Sequence, residues 1–228
     1  MAASFILATF FVLAVYIWRP IYKPPYETKE DAKLSKHQTK LVEEFEIKMR
    51  TQSVGSLCLA TFFVITLMAD QAQRADVTVL QWFGLRIDYN VIVATFSALL
   101  LNSILFMGEI YQLVRGMTRI SYNFDILAAK NLIAAPCFEE FIYRVCLINF
   151  CIESGALTLQ NAVYVMPIFF AISHLHHAIA EWKQKRAKKR QLFLMTLFRL
   201  GYTQIFGIYS GLVYIKTGSI WPAIVLHS

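Results

Sequence analysis

The chain has 228 residues, 57% of them hydrophobic and only 16% charged, with a mean hydropathy of +0.49. That balance is too apolar for an ordinary soluble domain and reads as all-α, a polytopic membrane helix bundle. The excess of basic residues behind the formal charge of +7 falls mostly between apolar stretches, and the four cysteines form no CxxC pair, which implies neither a zinc knuckle nor a disulfide framework.

In chain order, apolar stretches fall at 2–18, 54–68, 91–113, 131–152, 161–173 and 192–215, and another begins at Ile220. About seven spans are therefore expected, some shorter than the roughly 20 residues a crossing helix usually needs. The first lacks a basic n-region and a small-residue cleavage site, so it reads as a retained anchor rather than a cleaved signal. Pro20, Pro24 and Pro25 break the chain after it. Residues 29–50 alternate in charge around sparse apolar positions and read as a cytosolic, partly amphipathic helix. Residues 76–88, with Trp82, Phe83 and Leu85, read as an interfacial segment on the other side. Gly155 and Gly218 mark short turns. The last stretch reaches Ser228 without a polar flank, and the expectation is a final span that is truncated.

Basic residues concentrate at 19–50, 115–130 and 183–190, which fall on one side when alternate loops are counted. The positive-inside rule makes that side cytosolic. The run at 183–190 reads as a topogenic loop facing anionic lipid; nothing else in the chain resembles a nucleic-acid module, so no nucleic-acid partner is expected. Two regions follow: N-terminal spans over 1–128, with the cytosolic helical loop near 29–50, and a core over 129–228.

Charges interrupt the stretch at 131–152. Glu139, Glu140 and Arg144 lie inside it, and ionisable groups within a spanning helix mark a functional site by default. Glu140 and Arg144 stand one helical turn apart and can pair, while Glu139 points about 100° away and is left available. At about 1.5 Å per residue, Glu139 lies roughly 14 Å inward from Lys130, and His174 roughly 14 Å inward from Lys183. His227 lies roughly 14 Å from Gly218 on the opposite side, hence roughly 16 Å from the cytosol in a core about 30 Å thick. A carboxylate and two imidazoles thus arrive at similar depth from three segments; His176 and His177, nearer the basic loop, read as interfacial. Such a cluster suits attack by water, with a carboxylate as general base, an imidazole holding the water, and another donor for the oxyanion. Cys137 is a weaker nucleophile candidate, and the remaining cysteines read as small buried apolar residues.

Glu139-Glu140-Phe141-Ile142-Tyr143-Arg144 resembles the EExxxR motif of the CAAX prenyl endopeptidase family, the membrane proteases grouped with bacteriocin-processing proteins. Phe170-Ala171-Ile172-Ser173-His174 is similar to its FxxxH motif, and the approach to His227 is similar to its third. The continuation His176-His177 with a basic loop resembles the eukaryotic, Ras-converting branch. The resemblance implies removal of the C-terminal aaX tripeptide from prenylated CaaX proteins, such as Ras-like small GTPases, in the endoplasmic reticulum membrane with the site open to the cytosol. It also implies that Glu139 and His174 activate water, that His227 helps bind the oxyanion, that Glu140 and Arg144 support the site, and that no cofactor is needed. The family's third motif continues to a polar residue four positions after the histidine, beyond Ser228. Two other readings remain open: a zinc-dependent protease with Glu139, His174 and His227 as ligands, and an inactive scaffold that binds prenylated proteins.

Overall fold

The computed structural model describes residues 35–71, 78–117, 125–175 and 189–228, with isolated positions 6, 9, 10, 13, 14, 178, 179 and 182. Most of the predicted anchor, the proline break, His176, His177 and most of the basic run at 183–190 lie outside the described residues. The described residues form an all-α membrane helix bundle, and their only extended pairing is an isolated antiparallel bridge between Leu85 and Ser219.

The helices are α1 (Lys36–Gln71), α2 (Val79–Trp82), α3 (Tyr89–Leu105), α4 (Met107–Val114), α5 (Ile126–Ala129), α6 (Ala135–Glu140), α7 (Leu147–Glu153), α8 (Leu159–Ser173), α9 (Lys189–Thr217) and α10 (Trp221–His227). Two π-helical turns, π1 (Lys130–Ala134) and π2 (Phe141–Cys146), join α5, α6 and α7 into one unbroken helical path. His37–Leu67 and Lys189–Thr217 are long and apolar enough to cross a membrane, yet only 17% of the most apolar window of each is buried. Their apolar side chains therefore face outward, as hydrocarbon permits and water does not.

Local sequence sets the boundaries. Asp88 caps α3 by accepting the Val91 amide at 3.0 Å, and Asp125 caps α5 by accepting the Ala128 amide at 2.9 Å. Thr78 and Gln81 close a capping box around α2. The sequence at 91–113 predicts one span, but α3 and α4 meet at 69°. The break falls at Phe106 (φ −96°, ψ 19°), two residues before Gly108, so this stretch is a broken element rather than a straight rod. Residues 36–71, in contrast, are one continuous helix that carries the charged segment directly into the apolar one.

The path from α5 to α7 supplies the centre: Ile142, Val145, Cys146, Leu147 and Ile148 are fully buried. Helix α9 approaches α8 closely because Gly207 lies against Pro167, where an added Cβ would come within 2.6 Å of the proline Cβ. Phe83, expected at an interface, is instead 1% exposed and stacked on Phe62 at 4.4 Å and Phe141 at 5.8 Å. The turn after α2 folds this ring inward, and the same turn anchors α10: Gly84 (φ +65°) accepts the Ile220 amide at 2.9 Å, and the Ser219 hydroxyl donates to Arg86 O at 3.0 Å. Gly84 has no room for a side chain, since a Cβ there would lie 2.9 Å from Tyr214.

Candidate active site

Helix α10 packs against α3 and against α6, the turn that ends in Glu139 and Glu140. Its anchoring at Ser219 and Ile220 points His227 at both carboxylates. His227 Nδ1 lies 2.8 Å from Glu140 Oε1, and Nε2 lies 3.5 Å from Glu139 Oε2. One imidazole thus bridges two adjacent glutamates, one at each ring nitrogen.

Glu140 is fully buried and Arg144 is 1% exposed. Burying such a pair costs more than its attraction returns unless hydrogen bonds satisfy the remaining valences. Arg144 Nε lies 3.0 Å from Glu140 Oε2, and the Ser210 hydroxyl of α9 donates to the same oxygen at 2.6 Å while accepting from Arg144 Nε at 3.2 Å. Glu140 therefore receives donors from its own helix, from α9 and from α10. Because a carboxylate in that position only accepts, His227 Nδ1 is the donor, and Nε2 is the nitrogen presented to Glu139. The side chain of Glu139 remains 23% exposed. The π2 turn begins immediately after Glu140 and contains Arg144; single π turns inside helices are frequent at functional sites.

Phe170, the first residue of the FxxxH motif, occupies the centre of the cluster. Arg144 lies 4.6 Å above its ring, in cation–π geometry, and the terminal guanidinium nitrogens meet no hydrogen-bond acceptor among the described residues. The same ring meets Tyr143 at 5.0 Å, His174 at 4.8 Å and His227 at 5.9 Å. His174 follows the last residue of α8, and its Nδ1 lies 2.8 Å from Phe170 O; because a carbonyl only accepts, Nδ1 carries the proton in that bond. His174 and His227 both line an open cavity of about 540 Å³, walled by α3, α9 and α10.

The five residues singled out from the sequence are thus distributed as follows. Glu139, Glu140, Arg144 and His227 form one contact network; His174 reaches it through Phe170 and the shared cavity, and the partner that Glu139 meets directly is His227. Among the described residues, no group of three His, Cys, Asp or Glu side chains is placed to hold a metal ion. Cys58, Cys146 and Cys151 are buried and Cys137 is half-buried.

Two residues escaped the sequence reading. Ser210 is one; its signal was the run of small residues Gly207, Ser210 and Gly211 on one face of α9. Asn102 is the other: its amide donates to Val225 O at 2.9 Å and ties α3 to the last turn of α10. An asparagine in the apolar stretch 91–113 was itself the clue.

The fold and site define a membrane helix bundle with a partly buried carboxylate–imidazole–carboxylate bridge whose imidazole lines a cavity between its helices. Residues 122–228 match the family model described as type II CAAX prenyl endopeptidase Rce1-like. The chain is 25% identical to CAAX prenyl protease 2 of Homo sapiens, over 97% of this chain and 66% of that protein. It is 30% identical to CAAX prenyl protease 2 of Arabidopsis thaliana over 43% of this chain and 31% of that protein. The protein of the same name from Saccharomyces cerevisiae is also 30% identical, over 46% of this chain and 34% of its own length. The chain therefore spans just under two thirds of the human relative and about a third of the plant and yeast ones. No solved structure matches it.

Proposed function

We propose that the protein is an endopeptidase that removes the C-terminal aaX tripeptide from prenylated CaaX proteins, Ras-like small GTPases among them, by attack of an activated water. The observation that carries this reading is the bridge made by His227 between Glu139 and Glu140, at the edge of a cavity that also receives His174. The match of residues 122–228 to the type II CAAX prenyl endopeptidase model and the similarity to proteins named CAAX prenyl protease 2 support the substrate class.

In this mechanism Glu139 takes a proton from a water held near Nε2 of His174, and the resulting hydroxide attacks the scissile carbonyl carbon. The carbonyl π electrons move to oxygen, and His227 Nε2, when protonated, donates to that oxyanion. Collapse breaks the C–N bond, and Glu139 returns its proton to the leaving amine, so that a prenylcysteine carboxylate and a free tripeptide result. Glu140, Arg144 and Ser210 hold the His227 ring in position. No resident metal or cofactor is assigned a step.

The prenyl chain concentrates substrate in the bilayer at about 0.8 kcal/mol per buried CH₂, while its peptide end enters the cavity. The site belongs on the cytosolic side of the endoplasmic reticulum membrane, because the basic segments share a side and prenylated proteins are cytosolic clients. Full chain in proteoliposomes should release tripeptide from a farnesylated CaaX peptide and leave the unprenylated peptide intact. Binding of the farnesylated peptide without release would instead favour the inactive scaffold.

A further inference from the structure

The face of α9 that looks into the cavity carries a charge which the mechanism does not use. Arg199, Tyr202, Thr203 and Phe206 all line the cavity and fall at positions i, i+3, i+4 and i+7, one face of the helix. Arg199 is half-buried, ten residues into an element apolar enough to cross a membrane. A guanidinium at such a position is costly against hydrocarbon and marks a site or pathway when it faces a cavity.

The spacing along this face has a specific value. Phe206 meets the His227 ring edge-on, with centroids 5.0 Å apart, so its level on α9 is the level of the reacting groups. Seven residues separate Phe206 from Arg199, which is about 10.5 Å along the helix axis. Three residues of extended peptide span about 10–11 Å. The two lengths agree.

We propose that Arg199 binds the free C-terminal carboxylate of the substrate peptide, so that the cavity measures three residues from that carboxylate to the bond that is cleaved. The inference rests on the endopeptidase reading above and adds the feature of the substrate that fixes where the cut falls. A guanidinium suits the task because its planar fork of five N–H donors matches a carboxylate and can serve it while keeping a bond within the protein. A carboxamide terminus has the same shape without the charge.

The test uses the full chain in phosphatidylcholine proteoliposomes and two farnesylated peptides, identical except that one ends in a free carboxylate and the other in a carboxamide. Wild type should bind the acid about 10- to 100-fold more tightly than the amide, the range expected for a hydrogen-bonded charged group. Arg199→Gln should reduce that ratio to near one by weakening the acid alone, with amide binding unchanged as the sign of an intact fold. Arg199→Lys should retain part of the preference. Equal binding of acid and amide by wild type, or an acid preference that survives Arg199→Gln, would overturn the proposal. An Arg199-dependent acid preference with no tripeptide released from either peptide would uphold the carboxylate subsite and defeat the hydrolysis reading, which keeps the two failures apart.

Discussion

His227 Nδ1 and Glu140 Oε1 are 2.8 Å apart although 87 positions separate them in the chain. This contact joins α10 to α6, and it turns an ion pair within one helix into a site built by several. Its consequences are specific enough to test residue by residue.

Ser210 is the first. Its hydroxyl holds Glu140 and Arg144 to α9, so Ser210→Ala leaves a buried carboxylate oxygen short of one donor. Loss of a hydrogen bond to a charged group costs about 1.5–3 kcal/mol, equivalent to about 10- to 100-fold in kcat if the geometry of His227 is what suffers. Steady-state kinetics on a farnesylated peptide should show that loss in kcat with KM little changed.

Gly207 and Gly211 should respond unequally to the same substitution. An alanine Cβ at Gly207 would meet Pro167 at 2.6 Å, whereas at Gly211 the nearest atom is Ile148 Cδ1 at an ordinary 3.6 Å. Overpacking of a tight site costs about 1–3 kcal/mol. Thermal unfolding in detergent should therefore show a clear drop in Tm for Gly207→Ala and almost none for Gly211→Ala. Because Phe170 Cδ1 also lies 3.5 Å from the Gly207 position, activity should fall with the first substitution and not the second.

Asp88 carries a pH dependence outside the spanning segments. The Val91 amide, followed by Arg86, holds its carboxyl below the ordinary carboxylate range. A depressed folded-state pKa gives stability that is present above the unfolded value, near 3.9, and lost as pH falls through the folded value. Asp88→Ala should lower Tm at neutral pH, and the difference from wild type should shrink below about pH 4 as the native cap protonates. A difference that stays constant down to the acid limit would remove this role for Asp88.

Much of the site was legible before any coordinates because helical period and membrane thickness are strong constraints. The i,i+4 spacing placed Glu140 with Arg144, and residue counts to the nearest turn or charge put Glu139 and His227 at one depth. What sequence could not convey was azimuth. Rise per residue fixes depth, but which way a ring faces depends on neighbouring helices, and so the direct partner of Glu139 is His227 while His174 joins through Phe170. Ser210 stayed hidden because a serine between glycines looks like a packing residue until the helix opposite is known. The two π turns leave no pattern in composition, and Phe83 followed a turn whose inward fold only the bundle dictates.

Metal dependence separates two chemistries for the same residues. Water attack driven by Glu139 predicts that purified, active protein holds its rate after exhaustive treatment with a zinc chelator. Stoichiometric zinc, lost together with activity and restored with it, would establish the metal-dependent alternative.

The most direct test of the account is the Glu139→Gln variant, which keeps the size and hydrogen-bonding shape of the side chain and removes its ability to accept a proton from water. Measured in proteoliposomes on a farnesylated CaaX peptide, kcat should fall by at least about 100-fold, the lower end of general-base contributions, while affinity for the peptide stays within about twofold. Cleavage at near the wild-type rate, with the glutamine in place, would contradict it.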